Sequence, residues 1–180
     1  VAGLQDRVVQ TFGGLVSMDF STMTTDARTG LAYGRYEQLD PALLPRLFLV
    51  HADRAAQPSA DYHRVLRERH TAGHPPTLAG LHELAGLVVR GKAALAWGGE
   101  GLGPLLRRNM ELRNALAPIA DEQLELVAAV SEVGLAATFA GSGGAVVGVF
   151  HDDAALGKLG VACEGLDATV LEIRPFTYQR

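Results

Sequence analysis

Three groups of residues have the types and spacing to do chemistry. The first is Gly3-Leu4-Gln5-Asp6-Arg7. Leu4, Val8, Val9 and Phe12 recur at helical spacing before Gly13-Gly14, so the pattern predicts a short helix with Asp6 in its first turn. The helix macrodipole favours a carboxylate there in its ionised form, ready to accept a proton or a hydrogen bond. Charge complementarity at a helix start asks for the same residue, so position alone leaves a base and a helix-stabilising aspartate both open. The second group is Thr138 to Val147, with Gly141-Ser142-Gly143-Gly144 at its centre. Three glycines in four positions between two apolar strands let the backbone take positive φ and bring N–H groups close to an anion or a neighbouring loop. A tight hairpin alone would explain one or two of them. The loop is not a Walker A, because no Lys follows, and Val146 stands where a dinucleotide fingerprint has its third glycine. The third group is His63, Arg67 and His70, spaced by four and three on one helical face with Arg64 and Arg69 beside them. Arginines so placed suit bidentate capture of a carboxylate or phosphate, and an ordinary solvated face would look the same.

Other chemistries find little support. His51, His74, His82 and His151 lack metal-site spacing such as H-E-x-x-H, and one cysteine makes a zinc cage a poor reading. No G-x-S-x-G elbow marks a serine hydrolase. Cys163 cannot form an intramolecular disulfide, and its spacing with Leu156 and Leu159 reads as the apolar face of a helix, where a thiol acts as a small hydrophobe.

The elements that must position these groups follow from pattern and punctuation. Leu15 to Phe20 reads as a strand, Ser21 to Gly34 as a loop or loose hairpin, and Leu47 to Val50 as a buried strand. From Asp61 to Val130 the spacing is helical, predicting helices at 60–72, 77–97, 102–116 and 121–133. Strands at 136–140, 145–150 and 168–173 and a helix at 153–164, capped by Asp152 or Asp153, complete the chain. A helical block between β-rich ends indicates an α+β fold.

At 180 residues, 48% hydrophobic and 20% charged, the chain can bury a good core. A net charge of -4 argues against general nucleic-acid or anionic-membrane binding. No apolar run approaches the roughly 20 residues that cross a bilayer, so a cytoplasmic setting is the expectation.

Taken in order, these pieces resemble the C-terminal part of sugar kinases of the GHMP superfamily. Ala2-Gly3-Leu4-Gln5-Asp6-Arg7-Val8-Val9-Gln10, Gly13-Gly14-Leu15-Val16 and Met18-Asp19-Phe20-Ser21 are similar to the plant glucuronokinases. So are Tyr36-Glu37-x-Leu39-Asp40, His63-x-Val65-x-Arg67-x-Arg69, Asn109-x-x-x-Arg113 and Thr138 to Val147. The resemblance implies a ferredoxin-like βαβ arrangement with an inserted helical block. It implies that residues 1–53 end the N-terminal kinase lobe and carry the catalytic aspartate, while 54–180 form the C-terminal domain.

The implied activity is transfer of the ATP γ-phosphoryl group, with Mg2+, to a sugar hydroxyl, turning glucuronate into glucuronate 1-phosphate. Gly3-x-x-Asp6 matches the galactokinase-like context in which Asp is the catalytic base, with Arg7 where those enzymes have Gln. Gly141, Ser142, Gly143 and Gly144 match the family's third motif, a loop beside the transferring phosphoryl group. A uronate carboxylate needs a cation, and the matched positions offer Arg67 or Arg69 with His63. The family's P-x-x-x-G-L-x-S-S phosphate cradle does not occur in the sequence. The chain also begins at Val1 inside an amphipathic segment, so the expectation is a fragment whose partner is the upstream half of the same kinase, silent without it. Two alternatives stay open: a kinase for a neutral sugar or heptose, and a non-catalytic ferredoxin-like binding module.

Overall fold

A computed structural model describes residues 3–55, 59–141 and 143–175. The chain divides into two compact units, Val1–Leu43 with Arg174–Arg180, and Leu44–Ile173.

In the first unit, helix α1 (Leu4–Phe12) runs into Gly13 and Gly14, at φ 62° and 61°. Two consecutive residues at positive φ end the helix at once, and glycine adopts them without steric cost. The chain then enters an antiparallel hairpin of β1 (Leu15–Thr25) and β2 (Ala32–Leu39), paired from Leu15↔Leu39 to Thr25↔Ala32 with an irregularity between Asp19 and Thr24. Asp26 makes the turn: its Oδ1 accepts from the Arg28 and Thr29 amides at 3.0 and 2.7 Å and from the Thr29 hydroxyl at 2.8 Å. Those donors hold its carboxyl below the ordinary aspartate range. Tyr36 joins helix and hairpin by edge-on contacts with Phe12 and Phe20. Gln38 Nε2 donates to the Phe12 carbonyl at 3.0 Å, pinning the helix end to the strand.

The sequence reading leaves 21–34 as a loop or loose hairpin, whereas strand extends to Thr25 and resumes at Ala32. Residues 21–25 are all exposed, so no burial imposes the alternation by which a strand is recognised in sequence.

The second unit is built on a four-stranded antiparallel sheet of order β4-β5-β3-β6, from β3 (Leu47–His51), β4 (Ala136–Phe139), β5 (Ala145–Val149) and β6 (Thr169–Ile173). Between β3 and β4 lie α2 (Ser59–Thr71), α3 (Pro75–Leu95), α4 (Leu102–Leu116) and α5 (Asp121–Glu132). Helix α6 (Asp153–Cys163) connects β5 to β6. This is the ferredoxin-like β-α-β-β-α-β path with a block of helices in place of the first helix. Strand β3 is an inner strand hydrogen-bonded on both sides within this unit, and the compact units divide before it.

Alternation does the packing. Phe48 and Val50 of β3 and Val146 of β5 point into a core that takes Leu126 and Val130 from α5 and Leu159 and Cys163 from α6. Burial raises the Cys163 thiol above its ordinary value, in keeping with a small core hydrophobe. Asp152 caps α6, its Oδ1 accepting from the Ala155 amide at 2.8 Å. At the rim, Arg46 reaches Asp153 at 2.6 Å and Glu172 at 3.0 Å while lying over the Phe150 ring. Arg108 forks onto Glu83 at 2.7 and 3.0 Å, joining α4 to α3. No helix among the described residues is long and apolar enough to cross a membrane.

Candidate active site

The glycine loop joins β4 to β5, and the Ala140 amide donating to the Ala145 carbonyl at 3.0 Å closes it. Gly143 and Gly144 have φ 144° and 78°, values that side chains rarely tolerate. A Cβ on Gly143 would collide with the side-chain amide of Gln123. Gln123 is itself buried at 1% exposure, and its Nε2 donates to the Ala55 carbonyl at 3.0 Å. The Gly144 carbonyl accepts from the Ala52 amide at 3.1 Å, and the Gly141 carbonyl accepts from Arg113 Nη2 at 2.5 Å. Thr138, just before the loop, donates its hydroxyl to Asn109 Oδ1 at 2.6 Å. Three separate parts of the unit therefore grip the loop: α4 through Arg113, α5 through Gln123, and the end of β3 through Ala52. Ser142 lies outside the described residues. What this offers chemically is main chain bare of side chains at an exposed Gly141, with a guanidinium against it, a setting that favours an anion.

The cationic helix α2 divides along its length. Tyr62 at its start donates its hydroxyl to the Arg113 carbonyl at 3.2 Å, and burial raises the Tyr62 phenol above its ordinary value against the opposing pull of Arg113. His63 is exposed and meets the Tyr62 ring edge-on at 5.8 Å. Arg67 is exposed one turn further. Arg69 is half-buried, and its Nη1 donates to the Leu116 carbonyl at 2.6 Å, satisfying an end group of α4. Arg69 is thus tied into the helical block, whereas His63 and Arg67 present themselves to solvent.

Asp6 and Arg7 stand in the first unit, exposed on α1. Asp6 Oδ2 accepts from the Gly3 amide at 3.0 Å, half of a capping box, because glycine has no side chain to return the bond. The Arg7 carbonyl accepts from the Thr11 hydroxyl at 2.7 Å. Asp6 therefore stabilises its helix while its carboxylate stays open to solvent.

The sequence gives no role to Tyr62 or Gln123, and Asn109 and Arg113 enter it only through the family resemblance. Their spacing is the signal: Asn109 and Arg113 lie one turn apart on α4 and meet Thr138 and Gly141.

Residues 94–164 match the family described as GHMP kinases C terminal. The chain is 37% identical over 153 residues to Glucuronokinase 1 of Arabidopsis thaliana, covering 82% of this chain and 41% of that protein. It is 39% identical over 154 residues to Probable glucuronokinase 2 of the same plant, covering 82% and 40%. The chain thus spans about two-fifths of the length of these curated relatives. Among solved structures, L. major mevalonate kinase in complex with R-mevalonate superposes with a TM-score of 0.72 at 16% identity, over 94% of this chain and 52% of that one. A Lin0012 protein from Listeria innocua gives 0.67 at 14% identity, over 78% and 42%. At such identities the likeness concerns the fold. A domain of the family GHMP kinases C terminal thus lies at residues 94–164, and the chain is similar over 82% of its length to the two plant glucuronokinases.

Proposed function

We propose that this chain supplies the sugar-facing and loop-bearing part of a cytoplasmic, ATP-dependent kinase that phosphorylates the anomeric hydroxyl of glucuronate. The observation that carries this reading is the reach of the glucuronokinase similarity. It extends over 82% of the chain, well beyond the 94–164 domain match.

Asp6 would be the base. With Oδ2 fixed by the Gly3 amide, Oδ1 would take the proton of the sugar hydroxyl as that oxygen bonds to the γ-phosphorus and the bond to ADP breaks. Arg7, next in sequence, would be the cation that accompanies the base. The loop Gly141 to Gly144 would border the transferring phosphoryl group, which suits its bare main chain and the cation behind it. Positioning of both substrates contributes more than the base in such a loose transition state. For the uronate carboxylate, Arg67 with His63 is the better-placed pair, since Arg69 already serves Leu116. Mg2+ would arrive with the nucleotide phosphates: among the described residues no group of three or more His, Cys, Asp or Glu gathers as ligands. The phosphates themselves would be held by an upstream half bearing the cradle that this sequence lacks, and without it the chain would be silent.

The test is a kinase assay on the chain joined to that half, with ATP, Mg2+ and a panel of glucuronate, galacturonate, glucose, galactose and a heptose. The expected product is glucuronate 1-phosphate, identified by 31P NMR. Asp6→Asn keeps an oxygen for the Gly3 amide, so it should fold normally yet lose roughly 100-fold or more in kcat. Full turnover in that variant would remove Asp6 from the base role, and indifference to glucuronate would remove the carboxylate role of Arg67.

A further inference from the structure

Arg113 is placed expensively for a residue that only packs. Its Nη2 donates to the Gly141 carbonyl at 2.5 Å, and its guanidinium carbon stands 5.8 Å from the centre of the Tyr62 ring and 5.4 Å from that of Phe139. Both distances fall within cation–π range. Its Nε, however, is buried without a hydrogen-bond partner among the described residues. A buried unpaired donor is a net cost, which an unbranched apolar side chain in the same slot would avoid. That cost offsets what the loop bond and the ring contacts contribute, so stability alone does not call for an arginine here. What arginine adds is reach: a planar cation that stacks on α2 and β4 and still bonds the loop carbonyl. The Tyr62 hydroxyl, on the Arg113 carbonyl at 3.2 Å, ties the same point of α4 to the start of α2.

We propose that Arg113 is a positioning residue, a latch that sets the glycine loop against helix α2. It would thereby hold the phosphate-side loop and the helix carrying His63 and Arg67 in one fixed arrangement. Its catalytic consequence rests on the kinase reading above, but the latch itself does not. Arg113 touches no reacting atom in this scheme; it acts through Gly141.

The deciding variants are R113M and R113K, read by amide hydrogen exchange of the folded protein and by kinetics of the complete kinase. R113M fills the slot and removes both the loop bond and the orphan donor. It should keep the thermal midpoint while the Ala52 and Ala140 amides, which donate to the Gly144 and Ala145 carbonyls, exchange roughly ten- to hundredfold faster, the range expected for losing a charge-assisted hydrogen bond. Phe48 and Val50, in the sheet centre, should be unaffected. R113K keeps the charge but not the plane, and should recover part of the protection. In the complete kinase kcat/KM should fall by a similar factor in R113M and recover partly in R113K. Two results would overturn the proposal: loop exchange within twofold of wild type in both variants, or a rise spread equally through the sheet, as a purely structural residue would give. If the wild-type complete protein phosphorylates no sugar while R113M still frees the loop locally, the kinase reading fails and the latch stands.

Discussion

Replacing Gly143 with alanine adds one methyl group at the most constrained point of the loop. Two costs follow from the geometry. The residue sits at φ 144°, which an L side chain adopts with strain of about 1–3 kcal/mol. The new Cβ would also fall on the Gln123 side-chain amide, and Gln123 is buried, with its Nε2 committed to the Ala55 carbonyl. Moving it leaves a buried acceptor and donor unpaired, a further cost of about 1–3 kcal/mol. Together these predict a destabilisation of about 2–6 kcal/mol. At roughly 2–4 °C per kcal/mol for a chain of this size, the midpoint should drop by at least about 4 °C. Thermal unfolding followed by far-UV circular dichroism measures this directly. The steric part is isolated by a double-mutant cycle with Gln123→Ala, which removes the side chain in the way. G143A should cost markedly less in the Q123A background, by about 1 kcal/mol or more. Strict additivity, or a midpoint unchanged in the single variant, would show that the loop does not rest on Gln123.

Other expectations concern the two units separately. Cys163 should resist a maleimide in the native protein and react fully once denatured, because burial removes access and disfavours the thiolate; rapid native labelling would contradict its core placement. Asp26 carries a depressed pKa, so its contribution to the hairpin turn is present above the ordinary aspartate range and is lost as pH falls through the lowered value. The Thr29 amide resonance should accordingly move below about pH 4 in the wild type, and Asp26→Asn should abolish the titration.

The sheet and helix content of the second unit was legible because its elements are amphipathic or bounded by clear punctuation. Leu47–His51, the four helices and the closing strand-helix-strand follow from burial, which writes period 2 or 3.6 into the residues. The hairpin was legible only in part, since Ser21 to Thr25 bury nothing and so carry no pattern.

The same limit separated the site's parts. Asp6 at a helix start and the clustered glycines announce themselves through local requirements, a macrodipole and a positive φ, that act within a few residues. These are readable from the residues alone, together with the family resemblance and the order of elements. Tertiary structure alone decided that Arg69 is engaged by Leu116 while His63 and Arg67 stay exposed. It alone decided that Gln123, Ala52 and Arg113 hold the loop. These partners lie 28 residues away in the case of Arg113 and Gly141. Their meeting is set by how α4, α5 and the sheet pack, a sum over many buried contacts that no local spacing encodes.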